Sequence, residues 1–536
     1  MSDTFANLPV WVRRRDGSQV PFEADRICQS LYAAAESLGS ASSFIIRELT
    51  DVVLHFIAND PWDAIPTTAQ IVEQVEKIVR EVGHPELARR YAERENRPSA
   101  PAEKRITLAC SAPPAAFMRD CLRAYALEAI FTRDVAAAAR EGLLRLGDLE
   151  LPAALASLVL ETPRLADIPW WPVLDAWRAA GARWIIASPE WLAATHPHPT
   201  LSAHLCEQLL ALPTLAQREV ELHLNLADPP AWSRGSAVRP LFTSDDEEAT
   251  QQERSGFLDN LLERWKALET PHVPAIAWHL DGNSFLNEIQ MRQLHGLLRQ
   301  ALQGKPIRFV LDRPRGLPAL AEGLDRKCPG VLLDVGLDLT VLARKTDIGA
   351  DGAAFLEKLP SLARMAVSAS QQKHRFLRGL ADDAPVKQSF LLDRAATIVA
   401  PIGLHEVVQA ITGASLTRSP LALDFALQIL HTLKHALHAA GRAAHLDLRL
   451  DSSACWPEGS LSAGDPSSPP RRQLEIAGKL HAGAGAGAAT LILADNVSAE
   501  VESLAELLAW ACVSTSVVRL QLQRAGATLQ QGELAI

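Results

Sequence analysis

The stretch VWVRRRDGSQVPFEADRIC, residues 10–28, decides how this chain is read. A short β-like run, Val10-Trp11-Val12, passes straight into Arg13, Arg14 and Arg15, and Asp16-Gly17 is a turn signal. A second strand-like segment over 19–22 leads to Glu23-Ala24-Asp25-Arg26-Ile27, where acidic residues mark the first turn of a helix. The pattern predicts a basic hairpin with one more arginine just beyond it, at the helix start. Arginine keeps its charge at any working pH, and phosphate oxygens accept its forked donors in pairs. The hairpin is therefore a cradle for a polyphosphate; a solvated basic hairpin is the plainer alternative.

This stretch resembles the ATP-cone, a small allosteric nucleotide-binding domain at the N-terminus of many ribonucleotide reductases. Arg14, Arg15, Asp16 and Gly17 match its Lys-Arg-Asp-Gly element, Pro21, Phe22 and Glu23 its Pro-Phe-Asp, and Arg26-Ile27 its Lys-Ile. Residues 65–73 are similar to the family's Thr-x-x-Ile helix start, with Val-Glu closer in than usual. Residues 88–94 are similar to its closing Ala-x-x-Tyr-x-x-x-Arg helix, with the last arginine one position early. The resemblance covers about residues 9–97 and implies reversible binding of ATP or dATP, which a magnesium ion can accompany. On it, Arg14, Arg15 and Arg26, with Arg13 beside them, would hold phosphates. Val12 and Ile27 would pack near the base, and Thr68 would supply a polar contact.

At 536 residues the chain has room for two to four domains, and a hydrophobic fraction of 48% places it among soluble globular proteins. No apolar run approaches the ~20 residues that cross a membrane. The first residues lack the basic-then-apolar pattern of a secretory signal, so a cytoplasmic location is expected. A net charge of −10 argues against non-specific nucleic-acid binding, which needs a basic face. The seven cysteines are scattered without a Cys-x-x-Cys pair, so neither a disulfide framework nor a zinc site is expected.

The chain divides into a cone over 1–97, a proline-rich linker over 98–114, a helical, alanine-rich lead-in over 115–180, and an α/β barrel over 181–536. From about 180 short apolar strands alternate with helical stretches, the rhythm of parallel βαβ units. Strands are predicted at 183–187, 219–226, 275–280, 307–311, 331–339, 397–402, 446–450, 490–494 and 517–522. Residues 245–248, Asp-Asp-Glu-Glu, read as a solvated loop, 459–470 as a mobile loop, and HAGAGAGA at 481–488 as a flexible approach to a strand. His431, His435 and His438 share one helical face; a polar stripe is the plain reading and a metal site the sharper one.

Three stretches resemble the anaerobic (class III) reductase barrel. Residues 128–149 hold the frame of the opening region, with Ala139, Gly142, Arg145, Gly147, Asp148 and Leu149, but not its histidines. Residues 330–344 resemble Gly-x-x-x-Ile-Asn-Leu-Pro-Arg-Leu, with Asp338 at the asparagine. Ile402-Gly403-Leu404-His405-Glu406 resembles Ile-Gly-Leu-Asn-Glu. The resemblance implies a ten-stranded α/β barrel of the reductase and glycyl-radical-enzyme type.

That family's chemistry needs a glycyl-radical loop, a finger-loop cysteine and a Cys₄ zinc site. Gly526 lacks the following tyrosine, no Cys-x-x-Cys exists, and Cys328 is the nearest cysteine to the finger-loop position. Either Cys328 is that cysteine or it is a partly buried structural thiol. The expectation is a nucleotide-binding regulatory protein with an inactive reductase-like barrel, self-associating or partnered with a reductase subunit. The alternative is the catalytic subunit of an anaerobic-type ribonucleoside-triphosphate reductase that receives its radical in trans. A repressor, the third class, is disfavoured by the missing zinc ribbon and the acidic charge.

Overall fold

Alternation of one apolar residue between exposed neighbours makes the hairpin. Trp11–Arg13 (β1) pairs antiparallel with Gln19–Pro21 (β2), Val12 facing Val20, and only Val12 is buried. Gly17 takes φ +84°, a conformation open to glycine, and its N–H bonds the Arg14 carbonyl at 3.0 Å. Asp16 braces the turn by accepting from Ser18 N at 2.9 Å and Ser18 Oγ at 2.6 Å. The computed structural model describes residues 8–39, 41–60, 62, 64–95, 114–161, 181–191, 199–216, 218–226, 244–268, 273–312, 330–346, 351–384, 386–387, 392–451, 461–462, 465, 467–493 and 500–524.

Four helices carry the hairpin: α1 (Ala24–Ser37), α2 (Ser43–Asn59), α3 (Thr68–Glu81) and α4 (Pro85–Glu95). Their apolar stripes, Ile27, Leu31, Val53, Ile57, Val75, Val79 and Tyr91 among them, close a core that also takes in Val12. The start of α3 is fixed by a reciprocal capping box between Thr67 and Gln70.

Beyond the cone, α5 (Pro114–Tyr125), a π-helical turn at Ala126–Ile130 and α6 (Arg133–Arg140) realise the expected helical lead-in. It does not continue to 180, because Leu144–Leu146 (β3) and Ser157–Glu161 (β4) are strands. The short apolar run 157–161 fits either state; pairing with a parallel and an antiparallel neighbour decides it.

Every strand expected from 183 onward is present: β5 (Arg183–Ala187), β6 (Val220–Leu224), β7 (Ala275–Leu280), β8 (Ile307–Leu311), β9 (Gly330–Asp338), β10 (Ala395–Ile402), β11 (Asp447–Leu450), β12 (Ala488–Leu493) and β13 (Arg519–Arg524). The strand order is β11-β10-β9-β4-β5-β6-β7-β8-β13-β12, with β3 pairing β9 off this path. Strands β4 to β8 run parallel to one another, and β9–β11 and β12–β13 are parallel within themselves. The junctions β4/β9 and β8/β13 are antiparallel. Among the described residues ten strands thus fall into two sets of five that run in opposite senses, β4–β8 and β9–β11 with β12–β13, like the reductase-type α/β barrel.

The period of two sorts each strand's residues between two faces. Val220, Leu222, Leu224, Ile276, Trp278, Ile307 and Phe309 join the main core under the helices. The opposite face, towards the lumen, holds a small apolar cluster of Ala156, Ile185, Ala187, Leu226, Val331 and Ile398 beside Glu221, His223 and His279.

Two loop expectations are corrected. Residues 245–248 lie in helix Ser244–Lys266. Residues 481–488 end helix Pro470–Ala484: buried His481 accepts from Val518 N at 3.0 Å, and Gly485, at φ +101°, caps the helix ahead of β12. Its glycines serve close packing, since a Cβ on Gly483 would lie 3.0 Å from Leu427. Much of 459–470, and Cys328, lie outside the described residues.

Candidate nucleotide site on the cone and the barrel lumen

The hairpin arginines stand at the surface. Arg13, Arg14 and Arg15 are all exposed, Arg13 at the end of β1 and the other two leading into the turn. The hairpin is pinned to the start of α3: Arg13 N donates to the Pro66 carbonyl at 2.9 Å, and Thr68 Oγ1 donates to the Arg13 carbonyl at 3.2 Å. The predicted polar residue Thr68 thus orients the arginine strand. Arg26 is exposed in the first turn of α1, 3.3 Å from Glu23.

Val12 and Ile27, 6% and 5% exposed, belong to the cone's core. Val12 of the hairpin, Ile27 of α1 and Ile71 of α3 belong to one core cluster. A cavity of about 560 Å³ opens beside the first residues of β1, lined by Trp11, Asn59, Asp60, Trp62, Ile65 and Pro66 among others. Its size suits a small ligand. The two tryptophans sit about fifty residues apart in a chain with no motif joining them, so only the fold reveals the pairing.

The lumen holds a second polar cluster that sequence reading missed. On β6, β8 and β13, Glu221 is gripped by Arg308, at 2.5 Å, and by Arg519. Burial works against the Glu221 charge, yet these two guanidinium groups hold its carboxyl well below the usual range. From there a chain runs to the end of β8: His223 Nε2 lies 3.3 Å from Glu221 Oε1, His223 Nδ1 2.8 Å from His279 Nε2, and His279 Nδ1 2.9 Å from Asp312 Oδ2. Full burial pushes the His223 imidazole down to about 4, so it is neutral at pH 7. Nearby, Arg183 donates to Asp334 at 2.7 Å. The alternation polar–apolar across 220–225, Val-Glu-Leu-His-Leu-Asn, is the signal that could have found half of this cluster.

The barrel stretches singled out in the sequence meet at the strand ends. Asp338 Oδ1 caps helix Leu339–Thr346 by accepting from Val341 N at 3.0 Å, and its Oδ2 takes Arg145 at 3.3 Å. Gly403 faces Thr340 across β9 and β10. His431, His435 and His438 are exposed on helix Pro420–Ala443, and among the described residues no group of three or more His, Cys, Asp or Glu could hold a metal ion. No helix of the described residues is long and apolar enough to cross a membrane.

Comparison with known proteins places both parts. Residues 10–97 match the family model of the ATP cone domain. No curated protein matches the sequence. Among solved structures, an anaerobic ribonucleotide reductase is similar over 95% of this chain and 90% of its own, with 10% identity and a TM-score of 0.59. The anaerobic ribonucleotide reductase from Thermotoga maritima in complex with dATP and CTP is similar over 94% and 92%, with 12% identity and a TM-score of 0.57. The same enzyme with glycerol in the active site is similar over 76% and 82%, with 11% identity and a TM-score of 0.58. The chain thus carries an ATP cone domain at residues 10–97 on the fold of the anaerobic ribonucleotide reductases.

Proposed function

We propose that the protein is a regulatory adenine-nucleotide-binding protein of deoxyribonucleotide metabolism, acting in the cytoplasm through its cone. ATP or dATP lies along the hairpin with its phosphates on Arg14, Arg15 and Arg26, flanked by Arg13, and Thr68 holds the arginine strand in place. The observation that carries this reading is three exposed arginines on a pinned hairpin inside a matched ATP cone domain. The Thermotoga reductase with dATP bound in the specificity site is a precedent for an adenine deoxynucleotide bound on this fold.

The barrel, in this reading, does not reduce nucleotides itself. Several of its lumen charges pair with one another: Glu221 with Arg308 and Arg519, Asp334 with Arg183. Such paired groups favour a scaffold over a site awaiting substrate. A partner, either a second copy or a reductase subunit, then reads the cone. The alternative, a reductase fed a radical in trans, is favoured by the acid–histidine chain at the strand ends, where α/β proteins place chemistry; ribonucleotide turnover with a radical donor would establish it.

The test is calorimetric titration of the full chain with ATP and dATP. Arg14→Ala with Arg15→Ala should weaken binding at least tenfold while leaving the circular dichroism spectrum unchanged. Unaltered affinity in that double variant would refute the assignment.

A further inference from the structure

The cone is not a bead on a string. Phe44 of α2 packs into the barrel's core, and Ala137 of α6 packs into the cone's. Between the two cores six side chains close a hydrogen-bonded ring. Ser368 Oγ donates to Asp25 Oδ2 at 2.6 Å, and Gln372 Nε2 donates to Ser368 Oγ at 2.9 Å and to Thr132 Oγ1 at 3.0 Å. Thr132 Oγ1 donates to Asp134 Oδ1 at 2.6 Å. Arg47 closes the ring, donating to Asp134 Oδ2 at 3.2 Å and to Asp25 Oδ1 at 3.0 Å. Each hydroxyl donates once and accepts once; the bonds start from the double donors Gln372 and Arg47 and end on the carboxylates of Asp25 and Asp134. Arg47, Asp134, Ser368 and Gln372 are all buried.

Asp25 and Arg26 are successive residues in the first turn of α1. Asp25 faces the barrel's Ser368, Arg26 is exposed, Ile27 enters the cone core, and Cys28 Sγ donates to Asp134 Oδ2 at 3.3 Å. One helical turn thus presents Asp25 and Cys28, three apart, to the barrel side, and Arg26 to solvent. A second set of contacts docks α2 on helix Gly352–Arg378 away from α1: Lys358 with Glu48 at 2.8 Å, and Arg364 and Ser361 with Asp51.

We propose that the first turn of α1 is the coupling element between cone and barrel, with Ser368, Gln372 and Thr132 as the barrel-side positioning residues for Arg26. The proposal rests on the nucleotide reading above. A ligand that draws Arg26 shifts the turn, and the turn cannot shift without straining the buried ring. By linkage, loosening the ring must change the ligand's affinity, although no ring residue of the barrel touches the nucleotide.

The experiment is calorimetric titration of the full chain with ATP and dATP, for the wild type and for Ser368→Ala, Thr132→Val and Lys358→Ala. The first two each remove two ring hydrogen bonds and should shift the dissociation constant by about three- to tenfold. Lys358→Ala breaks an interface ion pair outside the ring and should stay within about twofold. Circular dichroism identifies any variant that fails to fold, and hydrogen exchange then serves as the second readout. ATP should change protection over residues 360–372 in the wild type and not in Ser368→Ala. Wild-type binding with unshifted ring variants overturns the coupling element alone, as does an equal shift in Lys358→Ala. Absence of wild-type binding overturns the nucleotide reading itself, and the coupling with it.

Discussion

His223 shows how a single buried group sets a pH response. Its imidazole, fully buried on β6, is driven down to about 4 by desolvation, whereas an unfolded chain titrates it near 6.5. The fold therefore favours the neutral form. Stability from this group is complete above 6.5 and falls away as pH drops through 6.5 towards 4, by about 3 kcal/mol at full extent. Glu221 enters only at lower pH, because its carboxyl is held well below its ordinary 4.5 by Arg519 and Arg308 against the effect of burial. Urea unfolding at pH 7 and at 4.5 should therefore show a loss that His223→Asn largely removes. Equal losses in the two proteins would contradict the assignment.

Between elements, Gly403 carries the contact that holds helix Leu404–Thr412 to the end of β9. It sits at φ +74°, and a Cβ there would lie 2.4 Å from Thr340 Cγ2. Gly403→Ala should cost about 2–4 kcal/mol, from the left-handed backbone and the overlap together. Adding Thr340→Ser, which removes the methyl, should recover the steric share, as chemical denaturation would show; an undiminished melt in the single variant would refute this. The glycine was legible because Ile402-Gly403-Leu404 stands out in the sequence, while its partner Thr340 was not. The strands from 183 onward were legible for the same local reason, being apolar runs bounded by breakers. Strand Ser157–Glu161 was not, because its state depends on pairing with β5 and β9, far away in sequence. Lumen residues such as Glu221 and Arg519 met the same obstacle: 298 residues separate the partners. The hairpin arginines needed less help, since strand, turn and helix start follow one another within residues 10–28, although Pro66 and Thr68 pin the strand from farther along the chain.

At the scale of the molecule, the cone and the barrel interlock through Phe44, Ala137 and the Asp25–Arg47–Asp134 ring, the contacts through which the proposed coupling would run. The barrel keeps the two antiparallel five-stranded halves of the reductase fold while its lumen charges pair internally. On the proposed function, regulation is the cone's work and scaffolding the barrel's. The direct test is calorimetric stoichiometry on the full chain with ATP, dATP and the four ribonucleotide substrates, for the wild type and for Arg14→Ala with Arg15→Ala. The account predicts that adenine nucleotides alone bind and that the double variant abolishes the heat. A second class of site that takes ribonucleotides and survives the double variant would contradict it, and would make the barrel the functional centre.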